Sequence, residues 1–397
     1  MPPADRPAPP DPQDARWDAR AAEAERSVTT LFGGRLFGMP FTHLARTVHP
    51  AGGGAPWHYW WQAHYLDAVV DAGLRCLRGG DTAGARERAR TGDRLLRTIR
   101  LRNRARWVND YYDDMAWLAL AAGRLALLHA ALGRPRPRRG LRTAERDLTR
   151  QLHSALTSEL GGGLFWNVER DFKNVPASAP AALHLARLGR SDEARGIVDW
   201  LYARLWSPES GLFLDGVRLT AASAAGSPGP RAPRTEVVVP DIWSYNQGTV
   251  LGALVTLGDE QSLQRAVDLV AAVSDRLTTE ADGIRLLRTH GGGDGGLFTG
   301  ILGRYLALAA TTDGLAQGAR DTAAGLVTST ADALWRGRDR RGRDRAGAVS
   351  VWSPDPGVDA RVGQPPGAPI ELSTQVQAWM LLEAAAAVGP APGAVRG

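Results

Sequence analysis

The sequence predicts an all-α fold, an (α/α)6 toroid in which six helical hairpins close into a ring. Helical periodicity dominates the 397 residues, and the alternation typical of strands is confined to short stretches such as residues 236–239. The apolar pattern divides into twelve helices, the number that six hairpins require. An open α-solenoid is the alternative, but solenoids have a fixed internal repeat that this sequence lacks. A closed ring is therefore preferred.

Apolar residues at three- and four-residue spacing mark the predicted helices. In chain order these helices span residues 12–34, 57–79, 84–104, 112–132, 140–159, 177–188, 192–206, 244–257, 259–277, 295–311, 314–335 and 371–388. Ser191 and Ser373 indicate helix starts, and Gly133, Gly189 and Gly258 indicate helix ends. These signals agree with the periodicity at several of the boundaries.

The connections between the predicted helices differ in length. Long loops that contain glycine and proline lie at residues 161–176, 207–241, 283–296 and 336–369. Tight turns such as residues 188–191 occur between them. We expect the long loops to gather at one mouth of the ring and to hold the functional site. Within them, residues 221–234 and 336–345 are either mobile lids or disordered insertions, and their compositions favour disorder.

No low-complexity linker divides the chain, so we expect a single domain over residues 13–389. Residues 1–12 and 390–397 are predicted to be disordered tails. The N-terminus lacks an apolar signal core, and no apolar stretch is long enough to span a membrane, so a cytoplasmic protein without a membrane partner is expected, with secretion by another route as the alternative. The single cysteine, Cys76, is predicted to be a small buried hydrophobe, which excludes a disulfide framework and a cysteine-based zinc site.

The formal net charge is +6 and the isoelectric point is near 9.9. Almost all of the positive charge is arginine, because Lys173 is the only lysine, and the arginines are spread among acidic residues along the chain. This distribution is typical of a solvated surface rather than of a nucleic-acid footprint. No nucleic-acid partner is therefore expected.

Residues 109–114, with the sequence NDYYDD, are the most informative segment, because they place adjacent carboxylates at the start of an otherwise apolar helix. One structural interpretation makes Asp110 an N-cap and Asp113 part of a capping box, but it leaves Asp114 without a role. Glycoside hydrolysis uses two carboxyl groups in different protonation states, and neighbouring carboxylates titrate as a coupled pair. The pattern therefore favours sugar chemistry, with Asp113 as nucleophile and Asp114 as acid/base.

Aromatic residues with polar tips are concentrated in residues 57–65, with the sequence WHYWWQAHY. Sugar rings stack on such planes, so Trp60 and Trp61 are candidate substrate contacts, although core packing explains at least half of the cluster. His58 and His64 are six residues apart, which does not match the spacing of two metal ligands on one helix face. No metal and no cofactor are expected.

Two later segments add polar and aromatic groups near predicted helix starts. Trp166 and Asn174 belong to the loop before the sixth helix, and residues 245–247 place a tyrosine and two amides after a long loop. Asn246 serves equally well as a helix cap in this pattern. The glycine-rich residues 291–296 follow no strand and lack the ending of a phosphate-binding loop, so they are interpreted as a connection.

Taken in order, these segments resemble the family-76 glycoside hydrolases, the endo-α-1,6-mannanase family, whose fold is an (α/α)6 barrel. The matching blocks are YWWQAH at 59–64, NDYYDDMAW at 109–117, GGLFW at 162–166 with Lys173 and Asn174, YNQG at 245–248 and GLFTGI at 296–301. The resemblance runs from about residue 57 to residue 387. It implies that the domain at residues 13–389 is a single glycoside hydrolase domain.

The resemblance implies that Asp113 and Asp114 are catalytic in a retaining reaction on α-1,6-mannosidic linkages, through a covalent mannosyl-aspartate. The side chains expected to contact the substrate are Trp60, Trp61, Asn109, Tyr111, Tyr112, Trp166, Asn174, Tyr245, Asn246 and Gln247. Ser178 and Thr299 depart from the family pattern, where asparagine and lysine are expected, and these differences concern the sugar subsites.

The expected partner is an oligo- or polysaccharide α-mannoside, and the protein is expected to be a monomer. Two other hypotheses remain at this point. Sugar epimerases of the N-acylglucosamine 2-epimerase type share the toroid and use histidine pairs, for which His184 and His290 are the candidates. The chain could also be a non-catalytic carbohydrate-binding relative, although the presence of both aspartates argues against this.

Overall fold

The structure, a computed structural model, describes residues 12–50, 56–221, 234–342 and 347–389. Within these residues the helices are α1 Pro12–Phe32, α2 Tyr59–Arg78, α3 Thr82–Arg102, α4 Tyr112–Ala131, α5 Arg139–Ala155, α6 Val175–Arg187, α7 Ser191–Leu205, α8 Ser244–Leu257, α9 Glu260–Arg276, α10 Gly295–Ala310, α11 Gln317–Arg336, α12 Ala360–Gly363 and α13 Leu372–Val388. The strands are β1 Gly33–Gly34, β2 Leu44–Ala45, β3 Val48–His49, β4 Phe172–Asn174, β5 Trp206–Ser207, β6 Leu212–Phe213, β7 Gly216–Ala221, β8 Arg234–Val239, β9 Thr278–Ala281, β10 Ile284–Leu287, β11 Asp339–Arg341, β12 Val349–Val351 and β13 Ile370–Glu371.

Six helices form a closed inner ring. Following the ring, α2 contacts α4, α4 contacts α6, and the contacts continue through α8 and α10 to α13, which packs back against α2. The outer helices α1, α3, α5, α7, α9 and α11 each pack against at least one inner helix. The contact between α13 and α2 closes the ring, so the predicted all-α toroid is confirmed and the open-solenoid alternative is wrong.

The two layers differ in burial because only the inner helices are surrounded by protein. Every residue of α13 from Leu372 to Ala385 is buried. In α3, by contrast, the buried residues form a stripe that includes Ala85, Ala89 and Leu95. A helix that is apolar all round packs inside a structure, and a helix with one apolar stripe packs on its surface.

The connection that precedes each inner helix is longer than the connection that joins it to the next outer helix. For α13 only the preceding connection applies, because it is the last helix described. Residues 337–371 precede α13 and residues 206–243 precede α8, whereas residues 79–81 join α2 to α3 and residues 188–190 join α6 to α7. Because inner and outer helices alternate along the chain, the long connections meet at the N-terminal ends of the inner helices. The prediction that the long loops gather at one mouth is confirmed.

All twelve predicted helices are present, and most of their boundaries agree to within two residues. The largest difference is at α5, which ends at Ala155 rather than residue 159, because the chain continues there in an extended conformation at Leu156. The sheet content was underestimated. Strand β7 pairs antiparallel with both β4 and β8; β4 is too short to show an alternation, and the alternation over residues 217–221 of β7 was not recognised.

Some predictions concern residues that lie outside the described ones. These are the disordered tails and most of the insertion at 221–234. Of the tails, only residue 12 is described. The prediction of disorder across 336–345 is wrong for Asp339–Arg341, which pairs with Val349–Val351 in an antiparallel ladder. Cys76 is buried and has no disulfide partner. In the described ranges, no helix combines the length and apolar character needed to cross a membrane.

Candidate active site

A cavity of about 740 Å³ opens at the mouth formed by the N-terminal ends of the inner helices. First turns of α2, α4, α6, α8 and α10 contribute side chains to its wall, together with the loops that precede them. The sequence-predicted residues that line it are Trp60, Asn109, Tyr111, Asp113, Asp114, Trp166, Asn174 and Tyr245. The fold therefore brings together groups from four separate segments of the chain.

Asp113 and Asp114 lie in the first turn of α4, directly after the N-cap residue Tyr111. Tyr111 makes no capping bond through its side chain, and Asp110 is exposed and does not cap the helix, so the capping interpretation of this segment is wrong. The backbone N–H of Asp114 donates to Oδ1 of Asp113 at 2.8 Å. The position at a helix N-terminus places free backbone N–H groups near the carboxylates.

Each carboxylate has one side-chain donor. The indole Nε1 of Trp166 donates to Oδ2 of Asp113 at 3.0 Å. The amide Nδ2 of Asn109 donates to Oδ2 of Asp114 at 2.6 Å. Among the described residues, no arginine or lysine is close enough to form an ion pair with either aspartate, and the nearby charges that act on them are other carboxylates.

The two carboxyl groups have different proton affinities. Burial raises the pKa of Asp113 to about 6, and hydrogen bonds from Trp166 and from backbone N–H groups limit the increase. Burial also raises the pKa of Asp114 well above its usual range, and the negative charge of Asp113 raises it further. When Asp113 is ionised, Asp114 therefore keeps its proton. One ionised and one protonated carboxyl group can act together as a nucleophile or base and an acid.

Two further carboxylates, which the sequence interpretation missed, line the same cavity. Asp294 lies in the glycine-rich segment that was interpreted only as a connection, and its charge raises the pKa of both Asp113 and Asp114. Asp215, just before β7, lines the cavity, and burial raises its pKa to about 6. Neither residue stands in a pattern that a single sequence can reveal, because each comes from a loop far away along the chain.

Aromatic rings form the wall beside the carboxylates. The rings of Tyr245 and Phe298 stack with centroids 4.0 Å apart and an interplanar angle of 15°. The ring centroids of Trp60 and Phe298 are 6.4 Å apart, and those of Trp117 and Tyr245 are 6.2 Å apart. Burial and the nearby carboxylates raise the pKa of Tyr245 well above its usual range, so its hydroxyl remains protonated. Such a wall offers apolar planes to the C–H faces of a sugar and a donor to its oxygens.

Helix rotation separates the three predicted residues at the start of α8. Tyr245 lines the cavity, but Asn246 and Gln247 do not, which corrects the sequence prediction. Asn246 donates through Nδ2 to Oδ1 of Asp215 at 3.1 Å. The side chain of Gln247 binds the backbone N–H and C=O of Phe213 at 2.8 and 2.9 Å. Consecutive helical residues point about 100° apart, so only one of the three faces the cavity.

Trp61 and Tyr112 also do not line the cavity, contrary to the sequence prediction. Both side chains are buried. Trp61 supports the site from behind, because its Nε1 donates to Oδ1 of Asp294 at 2.9 Å. The backbone N–H of Tyr112 donates to the carbonyl of Trp166 at 2.8 Å, which holds the start of α4 against the loop that carries the indole.

The two departures from the family pattern are buried and satisfied within the protein. Oγ of Ser178 accepts the backbone N–H of Leu164 at 2.9 Å. Oγ1 of Thr299 donates to the carbonyl of Arg288 at 2.8 Å. Neither side chain lines the cavity. The differences therefore alter the packing of loops behind the site rather than its wall.

Neither histidine that the epimerase hypothesis requires lines this cavity. His184 is buried, and its Nε2 shares a hydrogen bond with Oγ1 of Thr149 at 2.8 Å. His290 packs against Trp243 and Phe298. In the part of the chain that the structure describes, no group of three or more His, Cys, Asp or Glu side chains is arranged to hold a metal ion.

The structure is similar to solved glycoside hydrolases. It matches the α-1,6-mannanase GH76A of Salegentibacter sp. HEL1_6 with a TM-score of 0.74 and 27% identity, covering 94% of this chain and 99% of that one. An inactive variant of the same mannanase, with two consecutive aspartates changed to asparagine and α-1,6-mannotriose bound, matches with a TM-score of 0.75 and 26% identity over the same shares of the two chains. The Lin0763 protein from Listeria innocua shares the fold, with a TM-score of 0.69 and 22% identity, covering 93% of this chain and 97% of that one.

No curated protein sequence matches this chain. The sequence profile of glycosyl hydrolase family 76, in contrast, matches residues 17–389, which is nearly the whole chain. The family resemblance found in the sequence is thus confirmed over the helices of the ring and the loops of its mouth. The chain is a glycoside hydrolase and belongs to glycosyl hydrolase family 76.

Proposed function

We propose that this protein is a retaining α-1,6-mannanase in which Asp113 is the nucleophile and Asp114 is the general acid and base. The observation that carries the proposal is the adjacent pair of carboxyl groups at the mouth, without a cationic partner in the described residues and with different proton affinities. Burial and the negative charge of Asp113 raise the pKa of Asp114 well above its usual range, so Asp114 keeps the proton that the acid role requires.

The geometry supports a double displacement. Ionised Asp113 attacks the anomeric carbon and forms an ester, while Asp114 gives its proton to the glycosidic oxygen as that bond breaks. Asp114 then takes a proton from a water molecule, whose oxygen attacks the anomeric carbon and releases Asp113. The indole N–H of Trp166, at 3.0 Å from Oδ2 of Asp113, keeps the nucleophile oriented and favours its ionised form in both steps.

The comparisons support the choice of substrate. The similar Salegentibacter mannanase acts on α-1,6-linked mannose, and its inactive variant carries substitutions at two consecutive aspartates. Asp113 and Asp114 are the only two consecutive aspartates in this sequence. Family membership and the position of His184 and His290 outside the cavity argue against the epimerase hypothesis. No observation favours the hypothesis of a non-catalytic relative.

The test uses purified wild-type protein, Asp113→Asn and a matched control, Asp192→Asn. Asp192 lies at the corresponding position in the first turn of the outer helix α7, and its side chain is fully exposed. With α-1,6-mannooligosaccharides, we expect the wild type and Asp192→Asn to release shorter chains at equal rates. Asp113→Asn should lose about four orders of magnitude in kcat. Mass spectrometry measures the length of the released products, and NMR identifies the anomer that forms first.

An α anomer formed first establishes retention, and a β anomer formed first contradicts it. Equal rates for Asp113→Asn and the wild type would remove Asp113 from the mechanism. Absence of turnover by the wild type on every α-1,6-linked oligosaccharide would contradict the proposed substrate. Circular dichroism of each variant shows whether a loss of activity comes from the chemistry or from the fold.

A further inference from the structure

A second cavity, of about 210 Å³, lies at the end of the ring opposite the candidate active site. Its walls come from the C-terminal halves of α2, α10 and α13, from the middle of α4 and from the last residue of α6. Four arginines line it, and only two acidic residues do so. The arginines are Arg78, Arg124, Arg187 and Arg304, and the acids are Asp71 and Glu383. The lining therefore carries an excess of positive charge.

Ion pairs balance two of the arginines. Arg124 and Arg304 each bind both Asp67 and Asp71, so these four side chains form a neutral group. Glu383 is likewise already occupied, because its Oε2 accepts Nε of a buried arginine, Arg75, at 2.9 Å. No carboxylate of the cavity is left for the remaining arginines.

Arg187 is the unbalanced charge. Its side chain makes no hydrogen bond and no ion pair with the described residues; the residue is partly exposed, but its Nη1 is buried without a partner. Taking a guanidinium out of water without a partner is costly, so a buried one is normally paired with an anion. The negative ends of the inner helices reduce this cost, but they provide no hydrogen-bond acceptor to Nη1 here. Arg78 adds a second charge at the exposed rim.

We propose that this cavity binds a small oxyanion, such as phosphate or sulfate, through the guanidinium of Arg187 with Arg78 at its rim. A planar guanidinium presents parallel N–H donors that match two oxygens of such an anion. The cavity has room for one oxyanion with a few water molecules, and it is too small for a polysaccharide segment. The bound anion neutralises Arg187 and joins α2 to α6 at this end of the ring.

The experiment measures the Tm of the full chain in a phosphate-free buffer during titration with inorganic phosphate, together with calorimetry of the same titration. For the wild type we expect a saturable rise in Tm of about 3 °C, because a ligand that binds only the folded state stabilises it. Arg187→Gln should lose at least tenfold in phosphate affinity. In phosphate-free buffer its Tm should equal or exceed that of the wild type, since the substitution removes an unpaired charge whose Nη1 is buried.

The matched control is Arg146→Gln, which removes the same charge from an exposed site on α5 and should respond to phosphate as the wild type does. Two results would overturn the proposal. One is the absence of a saturable response of the wild type to phosphate and to sulfate. The other is an unchanged response in Arg187→Gln, which would place the bound anion elsewhere. Both readouts are independent of glycan hydrolysis, so they do not depend on the proposed function.

Discussion

Two pairs of carboxylates lie on inner helices of the same ring, and their chemistry is opposite. At the mouth, Asp113 and Asp114 have no cationic partner in the described residues, and burial raises the pKa of both. In the interior, Asp67 and Asp71 on α2 are each bound by Arg124 and Arg304. The difference lies in the counter-charges rather than in the depth of burial.

Asp67 shows how strong the effect of the counter-charges is. Burial alone would raise the pKa of Asp67, but the charges of Arg124 and Arg304 outweigh burial and lower it to about 2. Asp67 is therefore fixed in its ionised form, and the four side chains of the group hold three helices together. The mouth pair keeps one proton within reach of neutral pH, which is the condition for acid and base catalysis. A ring of this kind can thus separate structural carboxylates from reactive ones by the placement of arginines.

The largest effect on stability should follow from breaking the interior group. Arg304→Met leaves two buried carboxylates with one arginine, and we expect the free energy of unfolding to fall by about 3–5 kcal/mol. Arg90→Met is the control, because Arg90 pairs with Glu87 at 2.6 Å on the exposed face of α3, and its loss should cost less than about 1 kcal/mol. Denaturant unfolding of both variants measures the difference. Equal losses would mean that the interior group is not a special source of stability.

Substitution of Asp113 at the mouth should have a smaller effect on stability, and that effect should be stabilising. The folded-state pKa of Asp113 is raised to about 6, so its contribution to stability is present at low pH and is lost as pH rises from about 4 through 6. Asn cannot ionise, so Asp113→Asn removes the stability loss that accompanies ionisation of Asp113. The variant should therefore unfold at a Tm about 2–4 °C above that of the wild type at pH 7.5 and near the wild-type value at pH 4.

Asp67→Asn is the matched comparison for the same substitution in the interior. The pKa of Asp67 is lowered to about 2, so its ionised form stabilises the fold above about pH 4 and that stability is lost as pH falls through 2. Asn at this position should lower the Tm at pH 7.5. If both substitutions changed Tm in the same direction, the contrast between the two pairs would be wrong.

The sequence predicted the ring and the carboxylate pair at its mouth, but not the arginine-bound pair in the interior. Helical periodicity is a local property, so all twelve helices were found, and adjacent aspartates before an apolar helix were visible at once. The interior group was not predicted, because Asp67, Asp71, Arg124 and Arg304 lie on three helices whose facing sides only the closed ring defines. Asp294 and Asp215 were missed for the same reason, since each enters the site from a loop without a local motif.

The smallest effects should separate the roles of the two mouth carboxylates. The kcat/KM profile of the hydrolase should be bell-shaped, with an acidic limb near pH 6 set by ionisation of Asp113 and an alkaline limb set by deprotonation of Asp114. Trp166→Phe removes the N–H that favours ionised Asp113, so its acidic limb should move up by about half a pH unit to one unit. Trp200→Phe, which removes an indole donor to the carbonyl of Leu160 away from the site, should leave both limbs unchanged.

Asn109→Ala tests the other carboxyl group. The amide of Asn109 donates to Asp114 at 2.6 Å and lowers the pKa of that group, so its removal should move the alkaline limb to higher pH and leave the acidic limb in place. Independent movement of the two limbs requires that each donor acts on its own carboxyl group. If Trp166→Phe moved the alkaline limb and Asn109→Ala the acidic one, the assignment of nucleophile and acid would have to be exchanged, while the contrast with the arginine-bound pair would still hold.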